Sequence, residues 1–391
     1  MRTLHSNADG IRGGSPINSY AVRVAFDPQT FSLQDYGGVS RYFVETATCL
    51  ARLPETDVSV LAFAHFNAYL AQAPRGLVVG RCIPVPPSPA RRALVRMNQL
   101  LARSWLRRHP ADIVHETYYA AARTAPPGPP AVLTVFDMIH EKFPDYAPRT
   151  ARIVRLKQLA IDRADHLICI SENTRRDLLE RYPIDPARAT VVRLGFSKPT
   201  ADERSLPRPL AAPYILFVGS RGGYKDFDVL LRAYARVPAL QREFALVCFG
   251  DAPLSATERQ QAAALGVSPE RLRHASGSDR ELAAYYRHAA LLVYPSRYEG
   301  FGLPPLEAMA RECPVVCSDA ASLPEVAGDA AHMFAAGDAD ALQAALEAVL
   351  GSPSRAAALR DKGRLRAAAF SWEICAAQTR EVYARVLAAA T

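Results

Sequence analysis

Residues 291–310 read Leu291-Leu292-Val293-Tyr294-Pro295-Ser296-Arg297-Tyr298-Glu299-Gly300-Phe301-Gly302-Leu303-Pro304-Pro305-Leu306-Glu307-Ala308-Met309-Ala310. The first four residues are a short apolar run suited to a strand buried on both faces. Two glycines and two prolines then enforce a tight loop, and Leu306–Ala310 begins a helix. The amides of Gly300, Phe301, Gly302 and Leu303 lie near a helix N-terminus, where negative charge is favoured. Glu299 and Glu307 flank the loop eight positions apart, placed to hydrogen-bond two parts of one polyhydroxylated ligand. The plain alternative is that Glu307 caps a helix and Glu299 is solvated.

Strand-to-helix units of this kind recur in both directions along the chain. Upstream runs suited to strands are Ala21–Phe26, Val58–Phe63, Leu77–Val79, Ile113–His115, Val132–Phe136, Leu167–Ile170 and Thr190–Arg193. The second set is Tyr214–Val218, Ala245–Phe249, Arg271–His274, Leu291–Tyr294 and Val315–Cys317. Between them, Leu194–Pro213 carries four prolines and reads as a linker. The expectation is an α/β protein with two doubly wound, Rossmann-like lobes facing a cleft. Its divisions are a leader at 1–19, a first lobe at 20–198, a linker at 199–212, a second lobe at 213–370 and a last helix in 371–391. Ligands in such sheets sit at the carboxyl ends of the strands.

Other strand ends carry polar groups. After Tyr214–Val218 comes Gly219-Ser220-Arg221-Gly222-Gly223-Tyr224-Lys225. Arg221 and Lys225 in this loop are cations that could hold a phosphate, or two ordinary basic residues of a solvated loop. After Ala21–Phe26, Gly37-Gly38 would let backbone approach a phosphate or sugar. After Val132–Phe136 stand Asp137, His140 and Glu141, with Asp137 the favoured site residue. His115 and Glu116 are placed facing the cleft, and Ser171 is an N-cap.

The Glu299–Ala310 string resembles the signature of family 4 of the retaining, nucleotide-sugar-dependent glycosyltransferases. It matches at Glu299, Gly300, Phe301, Gly302, Glu307, Ala308 and Met309. The likeness extends from about Ala21 to Leu387 and implies the two-lobed GT-B glycosyltransferase fold. It implies that Glu307 holds the ribose of the nucleotide and Glu299 lies beside the transferred sugar. Gly219–Lys225 resembles the diphosphate-binding segment, with Lys225 the firmer assignment, and Gly37-Gly38 is common at the cleft edge. Many members carry a histidine where this chain has Phe136, so that group is absent. The segment Phe370-Ser371-Trp372 is expected to cross back to the first lobe, with Trp372 packing.

The implied reaction is retaining hexosyl transfer from a nucleotide diphosphate sugar, GDP-mannose favoured, to an acceptor hydroxyl. No cofactor or metal is expected, and the spacings Asp226-Phe227-Asp228 and Asp338-Ala339-Asp340 are discounted as metal sites. Details such as Pro304-Pro305 look like bacterial surface-polysaccharide transferases, so a lipid-linked saccharide acceptor is expected, in lipopolysaccharide, O-antigen or exopolysaccharide synthesis. The alternatives are a soluble acceptor, as in sucrose- or trehalose-type synthases, or a non-catalytic sugar-nucleotide-binding scaffold.

Composition sets the remaining bounds. With 391 residues, 49% hydrophobic and 22% charged, the chain is globular and too long for one core. Residues 1–200 carry 26 Lys and Arg against 17 Asp and Glu, a net +9, while 201–391 carry 21 against 22. Seven cysteines, an odd number and mostly in apolar runs, read as buried thiols of a cytoplasmic protein. No apolar run is long enough to span a bilayer, and no secretory signal is visible. Helical spacing over 90–108 places Arg92, Arg96, Arg103 and Arg107 on one stripe and Leu94, Met97, Leu101 and Trp105 roughly opposite. That pattern suits a peripheral contact with an anionic membrane on its inner face, the apolar side packing on the sheet. No nucleic-acid motif accompanies it.

Overall fold

The computed structural model describes residues 21–145 and 148–390, so the expected leader at 1–19 lies outside the described residues. Seven parallel strands form the first sheet: β1 Val22–Phe26, β2 Thr56–His65, β3 Val78–Cys82, β4 Ile113–Glu116, β5 Ala131–Val135, β6 His166–Cys169 and β7 Ala189–Val191. Their order is β3-β2-β1-β4-β5-β6-β7. Six parallel strands form the second: β8 Tyr214–Val218, β9 Ala245–Phe249, β10 Leu272–Ala275, β11 Leu291–Tyr294, β12 Val315–Ser318 and β13 His332–Phe334, in the order β10-β9-β8-β11-β12-β13. Every residue of β5, β8, β9, β11 and β12 is buried, as helices on both faces require. The sequence reading missed β13, a three-residue edge strand with one fully buried side chain and therefore little apolar signal.

Strand order reverses between β1 and β4 in one sheet and between β8 and β11 in the other. At such a point the following connections diverge to opposite faces and leave a crevice. In lobe two this crevice lies between the loop after β8, which carries Lys225, and the loop after β11, which carries Glu299.

Two stretches of chain pass between the lobes. The first, after β7, contains a 3-10 turn, Ala201–Ser205, that is fastened to lobe two: Arg311 donates to Glu203 at 2.9 Å and Arg280 pairs with Asp202. The second leads into the helix Trp372–Ala390, which packs on the lobe-one helix Gly38–Leu50. Tyr383 Oη lies 2.6 Å from His115 Nδ1, and Arg380 donates to Thr56 at 3.2 Å. Trp372 is buried. The two stretches meet at Gly195, where a Cβ would collide with the backbone of Ser371 and Trp372.

The basic helix spans Ser88–Arg108, but its faces differ from the expected ones. Leu94, Asn98, Ala102 and Leu106 are buried, whereas Met97, Leu100 and Leu101 are 42%, 65% and 40% exposed. Asn98 turns inward because its amide bonds Ser32 Oγ and both backbone groups of Ala64 at 2.7–3.1 Å. The expected pairing of Met97 and Leu101 with the sheet is thus corrected. Among the described residues no helix is long and apolar enough to cross a membrane. All seven cysteines are free thiols, and only Cys82 is exposed.

Candidate active site

Lys225 ends the 3-10 turn Gly223–Lys225, and its ammonium donates to Glu299 Oε1 at 2.7 Å and to Tyr294 Oη at 2.8 Å. It also lies over the Tyr294 ring, 4.9 Å from the centroid. Tyr294 is the last residue of β11, so its hydroxyl emerges at the carboxyl end of the sheet. Burial, then the neighbouring Glu299 charge, holds the Tyr294 phenol far above its ordinary value, so it stays protonated. The two loops are clamped together below this cluster. Arg297 Nε donates to Asp226 at 2.6 Å, and the Arg297 amide donates to the Tyr224 carbonyl at 2.7 Å.

The Glu299–Gly302 loop is oriented by hydroxyls. Ser322 donates to the carbonyls of Glu299 and Phe301, and Thr174 of lobe one donates to that of Gly300. With those carbonyls fixed, the amides of residues 300–302 make no bond within the described residues. The helix that follows, Leu303–Ala310, has Gly302 at its N-cap and no side-chain cap. Pro304 and Pro305 remove two donors from its first turn, so the donors left at this end are the amides of Gly300, Phe301, Gly302 and Leu303. The Phe301 side chain itself is core, packed on Phe370. Gly300 is required by proximity, because a Cβ there would overlap the Phe136 carbonyl oxygen of lobe one.

Lobe one meets this loop closely. Tyr298 donates to Asp177 at 2.7 Å and accepts from the Met138 amide at 3.2 Å. Glu325 of lobe two accepts from the Glu172 and Asn173 amides at the start of the helix Glu172–Arg181, whose N-cap is Ser171. Farther along the cleft, Glu307 accepts from Tyr286 at 3.1 Å and from Arg41 of lobe one at 3.3 Å. Tyr36 of lobe one bonds Asp279 of lobe two.

Several residues singled out from sequence have other partners. Arg221, expected at the diphosphate, is buried and donates to Glu258 at 2.6 Å and to the Ala252 carbonyl at 2.7 Å, while its Nη1 has no hydrogen-bond partner among the described residues. Glu258 falls to about 2 despite some desolvation, because of that bond and the Ser255 amide. The Gly219 amide is likewise committed, to the Phe249 carbonyl. His115 does not face the cleft. It is buried between Tyr383 and Thr134, and burial pushes its imidazole down to about 3. Glu116 is also buried and bound by Arg163 at 2.6 Å. Asp137 is half-buried, caps the Ile139 amide at 3.0 Å and abuts Gly300, so it remains at the cleft wall. Its loop is held by the buried Lys157, which donates to the Asp137 carbonyl and to Glu141 at 2.8 Å. His140 lies on the next short helix, lowered by burial. Phe136 sits among Tyr42 and Phe43. Gly37 has extended backbone facing the Gln34 side chain, and Gly38, the first helical residue, has open space beside it. Of the two Asp-x-Asp spacings, Asp226 is held by Arg297 and Asp338 caps a helix.

Two family models divide the chain between them. Residues 36–197 match "Glycosyltransferase Family 4" and residues 200–366 match "Glycosyl transferases group 1". Over 265 residues, 65% of this chain and 70% of the relative, the sequence is 32% identical to O-antigen chain mannosyltransferase B of Escherichia coli. The chain belongs to glycosyltransferase family 4. This glycosyltransferase is also 33% identical over 240 residues to the MMP alpha-(1->4)-mannosyltransferase of Mycolicibacterium hassiacum, covering 60% of this chain and 57% of that one. Its fold matches sucrose-phosphate synthase from Thermosynechococcus elongatus with a TM-score of 0.71 at 21% identity, over 94% and 99% of the two chains. At that identity the match speaks to the GT-B fold alone. Tyr294, Tyr286, Arg41, Tyr36 and Asp279 were missed by sequence reasoning. Only Tyr294, a polar tip at a strand's carboxyl end, carried a signal that could have found it.

Proposed function

We propose that this glycosyltransferase transfers a hexose, mannose favoured, from GDP-mannose to a hydroxyl of a lipid-linked saccharide, retaining the anomeric configuration. The observation that carries the reading is the Lys225–Glu299–Tyr294 cluster at the carboxyl ends of β8 and β11, next in the chain to the amides of residues 300–302, which make no bond within the described residues. Lys225 and these amides stabilise the leaving diphosphate, whose charge grows as the sugar C1–O bond breaks. The acceptor oxygen bonds C1 on the face the diphosphate leaves, and the acceptor proton passes to a diphosphate oxygen. Glu299, held by Lys225, orients sugar hydroxyls and offsets positive charge at C1. Glu307 accepts from the ribose. Arg221 contributes through its unpartnered Nη1, or by exchanging Glu258 for phosphate. No residue serves as nucleophile and no metal carries the leaving-group charge in this scheme.

Two observations favour a lipid-linked acceptor over a soluble one. The relative from Escherichia coli is named for O-antigen chains. Met97, Leu100 and Leu101 are exposed on the same helix as the exposed Arg92 and Arg96. Apolar groups beside arginines suit the surface of an anionic membrane, here the inner face of the cytoplasmic membrane. Release of nucleoside diphosphate from donor and acceptor tests the activity; no release with any donor among GDP-, UDP- and dTDP-sugars would reject it. Co-sedimentation with anionic vesicles, lost in Arg92→Glu/Arg96→Glu, tests the surface. No sedimentation at low salt would leave the soluble-acceptor reading in its place.

A further inference from the structure

Arg41 reaches from lobe one into the nucleotide side of lobe two. It stands in the first turn of the helix Gly38–Leu50. Its Nη1 lies 3.3 Å from Glu307 Oε1 and 3.7 Å from Asp279 Oδ2, and its Nη2 donates to Ser197 at 2.8 Å. The guanidinium also lies over the Tyr69 ring. Arg41 and Glu307 side chains are 15% and 13% exposed, so the pair is largely shielded from water. On the other side, Tyr286 donates to Glu307 Oε2 at 3.1 Å. Burial and the Glu307 charge hold the Tyr286 phenol protonated, so it can only donate to that oxygen.

A carboxylate offers about two acceptor sites on each oxygen. Here one donor occupies each oxygen, Arg41 on Oε1 and Tyr286 on Oε2. That fixes the plane of the group and leaves one acceptor site on each oxygen, the arrangement a vicinal diol fills with two hydroxyls. Tyr286 and Glu307 both belong to lobe two, whereas Arg41 and Ser197 do not. The orientation of Glu307 is therefore completed by a donor that reaches across the cleft from the other lobe.

We infer that Arg41 is a positioning residue for the donor: it orients Glu307 across the cleft and so couples nucleotide affinity to lobe closure. The inference rests on the reading of Glu307 as the ribose-binding carboxylate. By linkage, whatever opens the lobes weakens the nucleotide, and the nucleotide favours the closed form to the same extent. Losing a hydrogen bond to a charged group in a shielded site weakens binding by roughly tenfold or more.

The test is a double-mutant cycle on the full chain, with GDP affinity read by calorimetry and donor KM and kcat by product release. Arg41→Gln is expected to raise the GDP Kd and donor KM roughly tenfold, with kcat at saturating donor little changed. Arg41→Lys should recover part of the loss. In a Glu307→Gln background, Arg41→Gln should add almost nothing, because its effect runs through Glu307. Independent, additive losses would overturn the inference, as would a lowered melting temperature with unchanged Kd, the mark of a tie that only holds the lobes. If Glu307→Gln leaves GDP affinity and KM unchanged, the ribose reading of Glu307 fails, and this inference falls with it.

Discussion

Lys225 is bonded at once to a carboxylate and a phenol, which leaves the third of its three donors for a diphosphate. Its removal should act in the transition state, where the leaving charge is greatest. Lys225→Ala is expected to lower kcat by roughly a hundredfold or more, the scale for losing one placed donor to a developing oxyanion. Wild-type turnover in that variant would reject the assignment. Glu307→Ala, by contrast, should raise the donor KM before it changes kcat. The positions of Glu299, Glu307 and Lys225 after strand ends were legible because the strands, loops and helix start that place them lie within one lobe. Arg41 was not, although it stands four residues after Gly37, because its partner lies 266 positions away and is set by how the lobes meet. The pairing of Arg221 was hidden for a related reason: its partner Glu258 is brought up by a capping-box helix whose start lies against the loop after β8.

At the scale of single elements, the helix Glu172–Arg181 joins the lobes by its N-terminus. Ser171 satisfies the Thr174 amide, a cap that sequence alone indicates, and Glu325 satisfies those of Glu172 and Asn173 from the other lobe. A carboxylate at such an end stabilises by roughly 0.3–1 kcal/mol when exposed and more when partly buried. Glu325→Ala should therefore lower the melting temperature by a few degrees. A larger loss of activity than of stability would show that this contact also sets the closed geometry. Gly300→Ala gives the sharper result. The added methyl overlaps the Phe136 carbonyl, so the loop must withdraw from lobe one and carry Glu299 with it. Expected is a loss of turnover together with weaker binding of the nucleoside diphosphate, since the amides of residues 300–303 move with the loop. Unchanged turnover would mean the loop does not approach lobe one this closely.

For the molecule as a whole, both sheets were legible but for the edge strand β13, since buried parallel strands write continuous apolar runs. The way the last helix completes lobe one was legible only from the family resemblance, because its packing depends on contacts such as Tyr383 with His115. That histidine gives the whole chain an acid response. Its folded value, about 3, lies below the ordinary 6.5, so the unfolded chain binds its proton first. Its contribution is complete above about 6.5 and declines as pH falls toward 3. Melting temperature should fall on acidification through that window, and His115→Gln should flatten the fall; an equally steep profile would locate the response elsewhere. The same helix has a consequence for the order of events during synthesis. At roughly 5–20 residues per second, lobe one leaves the ribosome well before Trp372–Ala390 is made. Until then the surface that receives Cys375 and Tyr383 has nothing to cover it, so a nascent chain arrested within lobe two should be bound by chaperones and released once its final helix emerges.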